Sequence, residues 1–176
     1  MTLRLRDAVP ADLPAITAIY AHHVLTGTGT FEETPPDEVE MAARIAKVQA
    51  ARCAWMVAED ETGLVIGYGY FAPFRERSAY RFTAEDSVYV RDDIRGQGVG
   101  KALVAALITR GEARGFRQMI AVIGDSENVG SIGLHLSLGF RQVGVLKAAG
   151  MKFGRWVDVV QMQRPLGEGE KTLPAE

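Results

Sequence analysis

The chain has 176 residues, 47% of them hydrophobic and 24% charged, a balance that suits one globular domain with a single core. Its formal net charge is -2, and no run of Lys or Arg is long enough to track a phosphate backbone, so nucleic acid is not an expected partner. The opening MTLRLRDAVPADL lacks the apolar run of a signal peptide, and no segment offers the roughly 18 uncharged residues of a membrane span. A single cysteine, Cys53, cannot form an internal disulfide, so a cytoplasmic protein without membrane contact is expected.

Residues 3–6 alternate like a short strand, and Asp12 then precedes Leu13, Ile16, Ile19 and Tyr20 at helical spacing, which predicts a helix to about Leu25. TGTGTFEETPP reads as a loop too polar to bury. Residues 37–51 form a second predicted helix with Val39, Ala43 and Ile45 on one face. Two apolar runs, 53–59 and 64–74, flank Glu61, Thr62 and Gly63 in the pattern of an antiparallel hairpin, with Cys53 read as a buried, inert thiol. After the charged connection RERSAYR come a strand over 83–90, a helix over 98–114 with Val99, Leu103, Leu107 and Ile108 inward, and a buried strand over 118–123. A short helix over 129–138 stops at Gly139, and strands near 142–147 and 157–163 follow. Residues 1–166 are thus one α/β domain on a mixed sheet flanked by helices, and 167–176 reads as a frayed tail.

The chemistry concentrates in VYVRDDIRGQGVGKAL, where Arg95, Gly96, Gln97, Gly98, Val99, Gly100 and Lys101 link a strand to a helix. Such a turn can aim several N–H groups and the positive end of a helix dipole at an anion, and glycine lets a phosphate approach without meeting a Cβ. The same letters also suit a tight connection with no ligand. They are not a P-loop, because Arg95 stands where the first glycine belongs and Ala102 replaces the magnesium-binding Ser or Thr. Nor do they fit a dinucleotide fingerprint, which follows the first strand of a fold and has a different spacing. His22 and His23 project about 100° apart on one helix and cannot chelate one ion, so no metal is expected.

RGQGVG resembles the (Arg or Gln)-x-x-Gly-x-(Gly or Ala) turn of the GNAT acetyltransferases, which cradles the pyrophosphate of coenzyme A, and it occupies the matching place after a mid-chain strand. The resemblance implies a GNAT fold with a mostly antiparallel sheet and acetyl-CoA as co-substrate. It also implies a pantetheine arm bound along Val88, Tyr89 and Val90, and a second acetyl-CoA element at Asn128 and Ser131 in ENVGS, with His135 and LSLGF beyond. TFEETPP, FAPFRERSAYRFTAEDSVYV, AVIGDSENVGSIGLHLSLGF and KFGRWVDVVQMQ are similar to the branch that acetylates the α-amino group of phosphinothricin, methionine sulfoximine and methionine sulfone, usually as homodimers.

Acyl transfer from a thioester to an amine needs an unprotonated amine, a donor to the developing oxyanion and a proton for the leaving thiolate. An α-amino group titrates at roughly 8 to 9, so a base raises the reactive fraction near neutral pH. Glu85 is the candidate, supported by the acidic residue that the phosphinothricin branch uses at this position, with Asp86 the adjacent rival. Alternation puts Glu85, Ser87 and Tyr89 on one face of the strand and Asp86, Val88 and Val90 on the other. His135 is a second catalytic candidate, its place near the thioester implied by the resemblance. Arg75, with Arg77 as second choice, is expected to hold substrate carboxylates through a bidentate fork, and Phe31, Phe74, Tyr80 and Phe82 to wall the pocket. Two alternatives remain: an acetyltransferase of another amine, such as a protein N-terminus, polyamine or antibiotic, and a sensor that binds acyl-CoA without turnover.

Overall fold

The computed structural model describes residues 2–174. The chain runs β1 (Arg4–Asp7), α1 (Leu13–Thr26), α2 (Glu38–Ala50), β2 (Trp55–Glu59), β3 (Val65–Pro73), β4 (Thr83–Val90), α3 (Val99–Ala113), β5 (Gln118–Gly124), α4 (Val129–Ser137), β6 (Arg141–Lys152) and β7 (Arg155–Pro165). Seven strands make one sheet in the order β1-β2-β3-β4-β5-β7-β6. Every neighbouring pair is antiparallel except β4 and β5, which are parallel and joined by the α3 crossover.

Helices cover both faces. Gly67 and Gly69 of β3 press against Val99, Leu103 and Leu107 of α3, so α3 lies on the face shared by their cross-strand partners Val90 and Val88. Tyr68 and Tyr89, a cross-strand pair on the opposite face, stack on each other, and Tyr89 meets Tyr20 of α1 edge-on. Leu103, Leu107, Phe71, Met119, Met162 and Leu166 are fully buried, each such side chain contributing roughly 1.5–3 kcal/mol relative to exposure. Arg6 ties the first elements together, bonding Asp12 at the start of α1 (2.6 and 2.7 Å) and Glu59 of β2 (2.8 Å).

Three expectations change. In α2 the buried residues are Met41 and Val48 with Ile45 half-buried, whereas Val39 and Ala43 point outward and Val39 is 80% exposed. The inward stripe is 41, 44, 45 and 48, a regular helical repeat whose phase includes Arg44, which reaches Glu32 at 2.6 Å. The Thr- and Gly-rich loop is not left to solvent: Thr30 is buried and shares a 2.9 Å hydrogen bond with the Tyr20 hydroxyl. The segment from Gly167, expected to fray, turns back on the domain, with Arg117 donating to the Gly169 carbonyl (3.4 Å) and the Thr172 hydroxyl (3.1 Å). Residues 175 and 176 of that tail lie outside the described residues.

Candidate active site

The parallel pair at the centre of the sheet comes apart. β4 and β5 are in register over Thr83↔Gln118 to Asp86↔Ala121, yet β4 continues to Val90 and β5 to Gly124. Beyond Asp86 the edge of β4 that faced β5 has no ladder partner, which leaves its peptide groups, apart from the Val90 carbonyl, open to a ligand. The gap is a cleft of about 780 Å³. Ser87, Val88, Tyr89 and Val90 line one wall, and Ala121, Val122 and Ile123 the other.

The glycine turn closes one end of this cleft. Gly96 and Gly98 take left-handed φ values of 78° and 85°, and Gly98 caps α3, whose first N–H groups are free of intrahelical partners. A Cβ on Gly100 would come within 2.9 Å of Leu134, so glycine here lets α4 close on α3. Arg95, Gly96, Gly98, Val99, Gly100 and Lys101 all line the cleft, while Gln97 is exposed at the tip of the turn. Open N–H groups, a helix N-terminus and two cations suit a pyrophosphate. At the other wall Asn128 caps α4, its side chain accepting from the Ser131 N–H at 3.2 Å, and both residues line the cleft.

Glu85 and Asp86 face opposite ways, as alternation requires. Glu85 is a third exposed and lies 3.8 Å from Arg75. Burial pushes its carboxyl above the usual range, while the Arg75 charge opposes the rise and Asp86 adds to it. Arg75 rests 4.1 Å over the Phe74 ring and donates to the Phe74 carbonyl at 2.9 Å; Tyr80 meets the same ring edge-on at 5.7 Å. Arg75, Phe74, Tyr80 and Glu85 are therefore one cluster. Arg77 stands exposed at the start of the next short turn. Phe31 lies elsewhere, against Gly150 of β6, and is not among the residues that line the cleft. Phe82 does not join the cluster: it sits under Arg81 in a second cleft with Cys53 and Phe116, where burial also pushes the Cys53 thiol up to about 11.

His135 is buried on the other face. Its Nδ1 donates to the Ser131 carbonyl at 2.8 Å, and Nε2 lies 3.0 Å from Asp86 Oδ2. Burial opposes a charge on the ring, but the Asp86 hydrogen bond and charge outweigh it and raise the imidazole above its ordinary value. Both ring nitrogens are engaged, so the structure brings His135 to Asp86 and not to Glu85.

Several lining residues escaped the sequence reading. His23 donates from Nε2 to the Val90 carbonyl at 2.9 Å and faces Arg95 at 3.5 Å through Nδ1, which ties α1 to the end of β4 at the cleft. Burial holds His23 below its usual value. Thr28 and Asp125 meet at 2.9 Å, and Arg155 pairs with the same Asp125 carboxylate. The left-handed φ of 75° at Asp125 has no marker in the sequence beyond an Asp in the GDSEN turn. Among the described residues no group of three His, Cys, Asp or Glu side chains is placed to hold a metal ion, and no helix is long and apolar enough to cross a membrane.

Known proteins share this architecture. Residues 16–140 match the acetyltransferase (GNAT) family. The chain is 60% identical to phosphinothricin N-acetyltransferase of Alcaligenes faecalis over 93% of its own length and 82% of that protein. It is 46% identical to an L-methionine sulfoximine/L-methionine sulfone acetyltransferase of Pseudomonas paraeruginosa, covering 93% of this chain and 94% of that one. A solved phosphinothricin acetyltransferase of Sinorhizobium meliloti, in complex with acetyl-CoA, superposes with a TM-score of 0.97 at 54% identity, over 100% of this chain and 95% of that one. Agreement in both sequence and fold over most of the chain leaves one assignment: the protein belongs to the acetyltransferase (GNAT) family and is an acetyl-CoA-dependent N-acetyltransferase.

Proposed function

We propose that this enzyme acetylates the α-amino group of a small amino acid of the phosphinothricin, methionine sulfoximine or methionine sulfone kind. The observation that supports the reading is the 3.8 Å Arg75–Glu85 pair one residue before β4 parts from β5, where Arg75 would bind the acceptor carboxylate and Glu85 would act as the base. The names of the relatives point to the same acceptors. A polyamine or aminoglycoside acceptor calls for a carboxylate-rich pocket, whereas the connection after β3 supplies Arg75 and Arg77.

Acetyl-CoA supplies an acetyl thioester, for which the glycine turn, Arg95 and Lys101 are built to hold the pyrophosphate and the open β4 edge the pantetheine amides. Arg75 takes the acceptor carboxylate, with Arg77 in reserve, and Phe74 and Tyr80 wall its side chain. Glu85, directly or through one water, receives the proton that the amine gives up as its nitrogen bonds to the acetyl carbon and the carbon–sulfur bond breaks. A base whose carboxyl sits above the usual range is better matched to this proton than an ordinary surface glutamate. The Asp86–His135 pair braces the opposite wall, tying α4 to β4 where the strands part.

The same reading includes a homodimer working in the cytoplasm. Edge strand β6 and its hairpin with β7 expose Leu146 (52%), Met151 (63%), Phe153 (56%) and Trp156 (67%), an apolar surface suited to a second copy. Sedimentation of the wild type and a Trp156→Glu variant tests the dimer.

The decisive experiment incubates the protein with acetyl-CoA and phosphinothricin, methionine sulfoximine, methionine sulfone and ordinary amino acids, and measures free thiol. Rapid thiol release with the first three is expected. No release with any amino acid would refute the proposal.

A further inference from the structure

Arg75 and Glu85 occupy different kinds of backbone. Glu85 is fixed within β4, opposite Ala72 of β3 on one side and Ile120 of β5 on the other. Arg75 lies on the exposed connection after β3, more than half accessible, and is held by one aromatic face and one carbonyl. Its Nη1 stands 3.8 Å from Glu85 Oε2, beyond hydrogen-bond length. The other charged or titratable groups near Glu85 are Asp86 on its own strand and the Tyr70 phenol on β3, while β5 presents apolar Ile120. Arg75 is the cation among them.

We propose that Arg75 is a substrate-operated switch on Glu85: it pairs with Glu85 in the free enzyme, and the acceptor's carboxylate draws it away as the amino acid binds. The inference rests on Glu85 being the base and Arg75 the carboxylate binder. A guanidinium prefers a bidentate carboxylate at hydrogen-bond distance to a single oxygen 3.8 Å away. While it faces Glu85 it stabilises the carboxylate and weakens it as a base; once its charge is matched by the acceptor, the desolvation of Glu85 acts unopposed. The enzyme thus gains its full base only with a carboxylate-bearing acceptor in place. Discrimination against simple amines then appears in kcat as well as in KM, whereas an arginine that only binds would act on KM alone.

The test follows the Glu85 side-chain carboxyl by ¹³C NMR, assigned by its loss in Glu85→Gln, across a pH titration. N-Acetyl-L-methionine sulfone, which carries the carboxylate and cannot react, is compared with its carboxamide. The acid is expected to move the Glu85 midpoint upward by about one pH unit, and the carboxamide to leave it in place. Arg75→Gln, on an exposed connection, should show the raised midpoint without ligand and no response to either compound, and Arg75→Lys an intermediate one. In turnover, methionine sulfone carboxamide should lose about tenfold or more in kcat against methionine sulfone. Equal kcat for the two acceptors, or an unchanged Glu85 midpoint in Arg75→Gln, overturns the switch. Either result, with methionine sulfone still acetylated, leaves the proposed function standing. Absence of acetylation of every amino acid removes both.

Discussion

The Phe31 ring lies so tightly against Gly150 that a Cβ at that position would clash with the ring edge. The contact joins the loop after α1 to β6, and it is one of five that seat this loop on the far end of the sheet. Thr28 covers Gly124 just as closely, Thr28 Oγ1 bonds Asp125, and the buried Lys152 amine donates to the carbonyls of Gly27 (2.8 Å) and Thr30 (2.9 Å). Gly27, Thr28 and Gly29 line the cleft, so the seating of the loop sets the shape of the site.

Gly150→Val should therefore displace Phe31 and cost about 1–3 kcal/mol by overpacking. Urea denaturation measures the loss, and the acceptor KM should rise at least severalfold while that for acetyl-CoA changes little. Unchanged stability and KM would show that the loop tolerates movement.

Lys152→Met keeps the stem and removes the amine, leaving the Gly27 and Thr30 carbonyls without their donor. A loss of about 1–3 kcal/mol is expected from the two orphaned acceptors, offset in part because the charged amine is no longer buried. Thermal unfolding of the variant checks it, and hydrogen exchange should localise the loosening to residues 27–31.

Gly98 has open space around the position of a Cβ, so Gly98→Ala tests conformation alone. Forcing alanine to a φ of 85° costs about 1–2 kcal/mol and tilts the start of α3. Isothermal titration should show weaker acetyl-CoA binding, with the acceptor KM much less affected.

Buried His135 and half-buried His23 make opposite contributions to pH dependence. Asp86 holds His135 above its ordinary value, so this pair stabilises the fold fully below about pH 6.5, the unfolded value, and the contribution is lost as pH rises through the raised native value. His23 is held below its ordinary value, so its neutral state favours the fold above about pH 6.5 and the contribution is lost as pH falls through the lowered native value. Asp86→Ala should cost about 3–5 kcal/mol near pH 6, with the difference narrowing at higher pH. His23→Gln, whose amide can still donate to Val90, should flatten the acid side of the stability curve and weaken the acid dependence of acetyl-CoA binding. Denaturation midpoints between pH 5 and 9 check both.

The order of elements was legible because it rests on local periods. Leu103, Leu107 and Ile108 recur at helical spacing, β4 alternates, and Gly115 and Gly139 end helices with left-handed backbone. The glycine turn at the end of the cleft was legible for the same reason, since three glycines, an arginine and a lysine fall within seven consecutive residues. The face of α2 was not, because Val39 and Ala43 look as apolar as Met41 and Val48 until Arg44 is seen reaching Glu32. The opening of β4 from β5 past Asp86 is likewise a property of how two distant strands twist apart, and no residue marks it.

The proposed acceptor side divides the same way. Sequence by itself singled out Glu85, Arg75, Phe74 and Tyr80, which lie within twelve consecutive residues and which folding keeps in one cluster, and the strand parity that separates Glu85 from Asp86. Tertiary structure alone decided that His135 spends both ring nitrogens on Ser131 and Asp86, that His23 takes the Val90 carbonyl, and that Lys152 and Gly150 hold a loop more than a hundred residues away. Those partners are distant along the chain, and a hydrogen bond or a steric fit depends on where folding brings two atoms, which local pattern does not encode.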